Sequence, residues 1–195
     1  MISTNDIRQL REKTGAGVLD CREALARCDG DFAIAVEILR AKGAALMEKR
    51  AEREAAHGYI AVYSHSGLIG SMVELRCETD FVSSNRVFRD LAHEIALQVA
   101  ATSPQWVAAD EVPAAVIAQF VADERAAAES LGKPEHIVDQ IAKGKLAKFH
   151  QQVCLLEQPS IRDEASTVGA LIQDKALAFG ERIYVHRFAR FAIQP

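Results

Sequence analysis

Apolar and polar residues alternate strictly along residues 73–78 of the chain. The apolar positions are Val73, Leu75 and Cys77, and the polar positions are Glu74, Arg76 and Glu78. A period of two places one set of side chains on a buried face and the other in water, which predicts a strand. The alternation ends at Thr79, and apolar residues at helical spacing then run from residue 87 to residue 99. The segment therefore predicts a strand that turns directly into a helix.

The predicted strand and helix meet at a corner that carries an acidic and an aromatic residue, Asp80 and Phe81. Ser83, Ser84 and Asn85 offer capping oxygens before the helix. In one interpretation Ser83 is the cap, Val82 and Val87 form a hydrophobic staple, and Phe81 turns inward to serve folding alone. In the other, Asp80 and Phe81 project into a partner, because loops held by rigid elements often carry binding groups. The pattern by itself leaves both interpretations open.

Residues 1–50 contain three short stretches of helical periodicity. Ser3 or Thr4 is positioned to cap the first helix, and the glycines at positions 15 and 17 break it. The second helix carries its apolar stripe at Val18, Cys21, Leu25 and Cys28, and the third carries its stripe at Phe32, Ala35, Val36 and Leu39. A compact three-helix module is predicted.

Adjacent apolar residues at the start of the second helix mark a candidate binding patch in this module. Val18 and Leu19 lie about 100° apart around a helix, so we expect a small module to bury one of them and expose the other. An exposed apolar side chain beside Arg22 is typical of a contact surface. The alternative is a helical module with no partner, whose glycines serve the turn alone.

Charged residues dominate from about residue 47 to residue 56, which indicates a solvated helix end or linker. We therefore expect two domains, residues 1–55 and residues 56–195. The second domain should contain strands at 59–63, 68–77 and 182–193, with helices at about 84–101, 113–131, 134–151 and 167–179. The fold class expected is α+β: a three-helix module followed by a small antiparallel sheet of about three strands, covered by helices on one face. The closing strand should be apolar on both faces through Ile183, Tyr184, Val185, Phe188 and Phe191.

Composition narrows the possible functions. The 195 residues are 49% apolar and carry a formal net charge of −4, which argues against a protein that coats nucleic acid. The amino terminus lacks the basic and apolar regions of a signal peptide, and no later run approaches the roughly 20 apolar residues of a membrane span. We expect a cytoplasmic protein that binds neither membrane nor nucleic acid directly.

The chain lacks the sequence patterns of common cofactor and catalytic sites. It has no phosphate-binding loop of the Gly-x-x-x-x-Gly-Lys-Ser/Thr type, and its six histidines and four cysteines follow no metal-binding spacing. A small α+β hydrolase is the enzyme alternative, but it needs an acid, a base or a nucleophile in a recognisable constellation. We expect no enzyme activity, no metal and no cofactor.

Several segments resemble the bacterial elongation factor Ts family. Residues 74–83, Glu-Leu-Arg-Cys-Glu-Thr-Asp-Phe-Val-Ser, contain the characteristic Thr-Asp-Phe-Val run of that family, and residues 10–25 resemble its other signature, in a domain similar to ubiquitin-associated folds. Segments such as Cys-Leu-Leu-Glu-Gln-Pro at 154–159 follow in the family order, so the resemblance covers nearly the whole chain. Departures from the usual residues occur at Arg22, Arg76 and Ser84. Longer members carry a second sheet subdomain and a coiled-coil insertion, which makes this a short-form member.

The resemblance implies guanine-nucleotide exchange on elongation factor Tu, with release of GDP and entry of GTP. The implied partners are the GDP-bound and nucleotide-free forms of that GTPase and a second copy of the chain in a homodimer. The residues implied to perturb the Mg²⁺ region of the GTPase are Thr79, Asp80, Phe81 and Val82. The residues implied to bind it from the amino-terminal module are Arg11, Val18, Leu19 and Arg22. The alternative function is a ubiquitin-associated-like interaction module on an unrelated scaffold, in which residues 1–55 carry all binding.

Overall fold

The structure, a computed structural model, describes residues 2–50 and 52–193, apart from the side chains of residues 46 and 47. Residue 51 of the predicted linker lies outside the described residues. The helices are α1 (Thr4–Thr14), α2 (Val18–Arg27), α3 (Phe32–Lys49), α4 (Asp80–Ser84), α5 (Arg86–Thr102), α6 (Ala114–Ser130), α7 (Glu135–Val153) and α8 (Val168–Phe179). The strands are β1 (His57–His65), β2 (Ile69–Cys77) and β3 (Ile183–Ala192). The predicted α+β class is confirmed.

The amino-terminal module begins at a capping box, as the sequence predicts for Ser3. The Ser3 hydroxyl accepts a hydrogen bond from the Asp6 backbone at 3.1 Å, and the Asp6 carboxylate accepts one from the Ser3 backbone at 2.9 Å. The helix ends at Gly15, whose φ of 72° lies in the left-handed region that favours glycine. A Cβ on Gly15 would also meet the Cβ of Ala178 at 2.9 Å, so α8 packs closely against this turn.

The core of the module contains fully buried side chains from each of its three helices, including Leu10, Leu25 and Leu39. Leu177 of α8 packs against the same cluster. Cys28 and Phe32 are half-buried and pack against this cluster, whereas Val18 of the predicted stripe is exposed. α3 continues through Lys49, so the first part of the predicted charged linker is helical.

The sheet is antiparallel in the order β1-β2-β3, with Leu75 of β2 paired to Tyr59 of β1 and to Val185 of β3. Val73, Leu75 and Cys77 are fully buried, which confirms the predicted alternation. Helix α5 lies on this inner face, where the Ser71 hydroxyl donates to the carbonyl of Ala96 at 2.6 Å. The outer face of β1 and β2 is exposed at Ile60, Val62 and Met72.

A β-bulge between Glu74 and Leu75 changes the register between β2 and β3. Leu75 pairs with Val185, whereas Glu74 pairs with Arg187, so one residue of β3 has no direct partner. The side chains of β3 become more exposed toward the end of the strand. Ile183 and Val185 are buried, Tyr184 and Phe188 are half-buried, and Phe191 is 77% exposed.

The described residues form two compact units. The first contains the residues up to 100 together with those from 170 onward, and the second contains residues 101–169. The second unit is built around α6 and α7, where the rings of Phe120 and Phe149 stack with centroids 4.5 Å apart. The expected boundary at residue 55 concerns independent folding and stays a prediction. No helix among the described residues combines the length and apolar character needed to cross a membrane.

Candidate partner-binding site

The corner after β2 is formed by a single turn of helix, α4, with Thr79 as its N-cap. The Thr79 hydroxyl accepts a hydrogen bond from the Val82 backbone at 3.5 Å. Threonine suits this position because its side-chain oxygen can satisfy a backbone N–H that has no partner within the helix. The four predicted corner residues, Thr79, Asp80, Phe81 and Val82, therefore lie together in this cap and turn.

The prediction that Ser83 caps the long helix after the corner is wrong. Ser83 lies inside α4, and its hydroxyl donates to the carbonyl of Asp80 at 3.0 Å. Asn85, another of the three predicted capping candidates, accepts a hydrogen bond from the backbone N–H of Val87 at 2.8 Å, just where α5 begins. Val82 is buried whereas Val87 is 47% exposed, so these two residues do not form a hydrophobic staple.

The structure distinguishes between the two interpretations of Phe81. Its side chain is 85% exposed, so it is not a core residue that turns inward. Asp80 is also exposed, and its carboxylate makes no hydrogen bond or ion pair with any residue that the structure describes. An acid and an aromatic ring thus extend from a capped turn into solvent, while Val82 beside them anchors the turn in the core.

A charged cluster centred on Glu78 lies directly before the corner. Its carboxylate accepts from the guanidinium groups of Arg50 at 2.8 Å and Arg53 at 3.2 Å, and from the backbone N–H of Arg182 at 2.7 Å. Burial raises the pKa of Glu78, but these three donors together lower that pKa below its ordinary value. The carboxylate therefore remains ionised at neutral pH.

Glu78 follows the last residue of β2, and its position corrects the expectation that the polar residues of the alternating segment 73–78 face water. Its side chain is only 13% exposed, because three partners distant in sequence surround it. The partners lie 25 to 104 residues away along the chain. No local pattern could have revealed them, although the run of arginine and glutamate at 50–54 is the sequence signal for part of the cluster.

A second set of predicted binding residues lies on the amino-terminal module. Val18 and Leu19 open α2 and are 51% and 68% exposed, so both side chains face solvent rather than one of them. Arg11 of α1 and Arg22 of α2 are exposed as well. The turn before α2 is held by Thr14, whose buried hydroxyl donates to the Leu10 carbonyl at 2.7 Å.

Ile34 is another exposed apolar side chain on this module, and it is absent from the predicted binding residues. It lies at the start of α3 and is 52% exposed. The helical periodicity of α3 could have identified it, because Ile34 falls outside the stripe formed by Phe32, Ala35 and Leu39.

The described residues contain no group of three or more histidine, cysteine, aspartate or glutamate side chains that could hold a metal ion. The four cysteines are free thiols, and Cys21, Cys77 and Cys154 are buried. Burial is the main reason that the pKa of Cys77 rises to about 11. Cys77 is therefore a protonated thiol whose Sγ–H donates to the carbonyl of Thr79 at 3.2 Å.

Comparison with known proteins identifies the family. The family model described as "Elongation factor TS" matches residues 39–194, well over half of the chain and including the whole corner. The chain belongs to the elongation factor Ts family. This is a family of translation elongation factors, and the resemblance seen in residues 10–25 and 74–83 is confirmed.

Individual relatives match along nearly the entire chain. "Elongation factor Ts" from Moorella thermoacetica is 47% identical over 194 residues, which are 99% of this chain and 96% of the relative. "Elongation factor Ts" from Anaeromyxobacter sp. (strain Fw109-5) is 46% identical over 193 residues, 98% of this chain and 88% of the relative. The protein of the same name from Thermodesulfovibrio yellowstonii is 43% identical over 192 residues, 98% of this chain and 96% of the relative.

Proposed function

We propose that the chain is a guanine-nucleotide exchange factor for elongation factor Tu in the cytoplasm. The observation that carries the proposal is the 85% exposure of Phe81 on a capped turn, beside the exposed side chain of Asp80. An exposed aromatic side chain held by a rigid element is suited to enter a partner rather than to stabilise its own fold. Exchange breaks no covalent bond, so the chain requires no catalytic group and is not an enzyme.

The corner performs two actions in this proposal. The ring of Phe81 inserts between packed helices of the GTPase and favours a state that holds its nucleotide poorly. The carboxylate of Asp80 enters the region around the Mg²⁺ ion and changes the electrostatic balance that keeps the cation and the nucleotide phosphates in place. Thr79 and Val82 hold the corner through its cap and through the core.

The amino-terminal module supplies a second contact with the same GTPase in this proposal. Val18 and Leu19 offer an exposed apolar pair, which is the kind of surface that loses water on binding. Arg11 and Arg22 add positive charge that can steer the approach of an acidic partner. Binding by the module holds the factor on the GTPase while the corner acts on the nucleotide site.

We further propose that two copies of the chain pair through the outer face of the sheet. Ile60, Val62, Met72 and Phe191 of this face are 48% to 77% exposed, which is unusual for four large apolar residues on one surface. In a two-fold arrangement, each copy would cover the outer sheet face of the other, and two-fold symmetry is the commonest symmetry of soluble oligomers. We expect no direct contact with nucleic acid, given the net charge of −4.

The dimer is tested by light scattering behind a sizing column at low micromolar concentration. We expect a mass near twice the 21.3 kDa of one chain, and a shift toward one chain in Phe191→Asp. Leu131→Asp is the matched control, because Leu131 is 74% exposed in the other compact unit. A single-chain mass for the unmodified protein would refute the dimer.

The exchange function is tested by reciprocal coupling between factor and nucleotide. If the factor weakens GDP binding, GDP must weaken factor binding by the same free energy. Calorimetry should therefore show tighter binding to nucleotide-free elongation factor Tu than to its complex with GDP and Mg²⁺. Equal affinity for the two forms would contradict an exchange function, and it would favour a simple interaction module.

A further inference from the structure

The position of Phe81 depends on its backbone rather than on packing of its ring. A side chain that is 85% exposed has few neighbours to hold it. Its helix, α4, is only five residues long, and a single helical turn is not stable by itself because nucleation costs more than one hydrogen bond returns. Contacts from outside α4 must therefore fix the direction in which Phe81 and Asp80 point.

Glu181 makes a two-pronged contact with the residue that caps α4. One carboxylate oxygen accepts from the backbone N–H of Thr79 at 3.1 Å, and the other accepts from the Thr79 hydroxyl at 2.6 Å. Hydrogen bonds to an ionised carboxylate are shorter and stronger than neutral ones. Glu181 is 102 residues away from Thr79 along the chain, so this contact ties the corner to the loop between α8 and β3.

The contact also determines how the Thr79 hydroxyl caps the helix. A hydroxyl has one proton, and here that proton is donated to Glu181. The lone pairs of the oxygen are then directed to the Val82 backbone N–H, from which it accepts at 3.5 Å. Without the carboxylate, the hydroxyl can rotate and lose the capping geometry on which α4 depends.

The neighbouring residue Arg182 reinforces the same connection. Its backbone N–H donates to Glu78 at 2.7 Å, just before Thr79, and its guanidinium group donates to the carbonyl of Arg53 at 3.0 Å. Two consecutive residues of one loop thus hold two consecutive residues of the corner. The loop between α8 and β3 acts as a clamp on the strand-to-helix turn.

We propose that Glu181 is a positioning residue for nucleotide exchange, which fixes the Thr79 cap and thereby aims Asp80 and Phe81 at the GTPase. The inference rests on the proposed exchange function. Glu181 itself need not contact the partner. Its role is to order the corner before binding, so that the partner does not have to order it during the encounter.

The test compares Glu181→Gln, Thr79→Val and the double variant in stopped-flow release of labelled GDP from elongation factor Tu, at increasing factor concentration. We expect the maximal release rate of Glu181→Gln to fall roughly 5- to 30-fold, the factor that corresponds to a loss of one or two kcal/mol. The half-saturating concentration should change little, because the amino-terminal module still binds. The two single effects should be less than additive in the double variant, because both changes remove the hydrogen bond between the Thr79 hydroxyl and Glu181, whereas Thr79→Val keeps the backbone N–H that also donates to Glu181.

Glu111→Gln provides a matched control. Like Glu181, Glu111 accepts a hydrogen bond from a backbone N–H, that of Val107 at 3.0 Å, but Glu111 lies in the other compact unit. The maximal GDP release rate with Glu111→Gln should equal that with the unmodified chain. Thermal melts of all variants establish the folded fraction, so that a loss of folded protein is not mistaken for a loss of positioning.

Amide exchange provides a second measurement that needs no GTPase. The Val82 amide should exchange with solvent several-fold faster in Glu181→Gln, whereas the amide of Ile95 in α5 should not change. The inference is overturned if the unmodified chain accelerates GDP release and Glu181→Gln matches it, or if the Val82 amide is unaffected. An unmodified chain that does not accelerate release would overturn the exchange function and this inference together.

Discussion

Replacing Phe81 with alanine separates a binding role from a folding role. The Phe81 side chain buries only about a sixth of its surface. Complete burial of such a side chain is worth about 1.5 to 3 kcal/mol, so its truncation should reduce the free energy of unfolding by only a few tenths of a kcal/mol. In a chain of this length the melting temperature should therefore fall by less than about 2 °C.

Phe88→Ala should show the opposite behaviour, a large loss of stability, because this phenylalanine is buried. Phe88 is fully buried on α5, seven positions after Phe81. Truncation of a buried phenylalanine typically costs about 3 to 5 kcal/mol, which corresponds to a melting temperature lower by at least about 6 °C. Leu131→Ala is the control for the removal of a similarly exposed apolar side chain far along the chain from the corner.

The assay is stopped-flow release of labelled GDP from elongation factor Tu, with each variant adjusted to equal folded concentration. We expect Phe81→Ala to reduce the release rate at least about tenfold, since central aromatic residues dominate many interfaces. Leu131→Ala should match the unmodified chain. A binding role for Phe81 is refuted if Phe81→Ala melts as early as Phe88→Ala, or if this variant releases GDP as fast as the unmodified chain.

Three further predictions follow from the described contacts. Leu19→Asp should weaken binding to elongation factor Tu, measured by calorimetry, without lowering the melting temperature, because Leu19 is 68% exposed; an unchanged affinity would remove the module from the interface. The folded-state pKa of Glu78 lies below its ordinary value of 4.5, so its cluster stabilises the fold above that pH and loses this effect as pH falls through the lower folded pKa. Denaturant unfolding should therefore show a stability difference between Glu78→Gln and the unmodified chain at neutral pH that shrinks at acidic pH; a difference independent of pH would contradict the assignment. Iodoacetamide should modify Cys28 before Cys77, which is buried with a pKa raised to about 11, and mass spectrometry showing the reverse order would contradict that burial.

The features that could be predicted from sequence are those encoded in short stretches of chain. The alternation of Val73, Leu75 and Cys77 predicts the buried face of β2, because a period of two leaves few other arrangements. The Ser3 cap is equally local, since its partner Asp6 is three residues away. The exposed Leu19 could be foreseen in part, because two adjacent apolar residues cannot both face a narrow core.

The features that could not be predicted depend on residues far apart in sequence. Glu78 belongs to the polar set of the alternating segment 73–78, yet Arg50 and Arg182 surround it only after the chain has folded. The short helix α4 was missed for a different reason. Both Thr79 and Ser83 are good capping residues, and the choice of Thr79 is favoured by Glu181, which lies 102 residues away.

The most direct test of the exchange function is the rate at which labelled GDP leaves elongation factor Tu when the unmodified chain is added. Stopped-flow fluorescence should show a release rate that increases with factor concentration and then saturates. An excess of unlabelled GDP in the same experiment prevents rebinding, so the trace reports release alone. We expect acceleration that depends on the exposed corner at Asp80 and Phe81. A release rate equal to the spontaneous one at every factor concentration would contradict it.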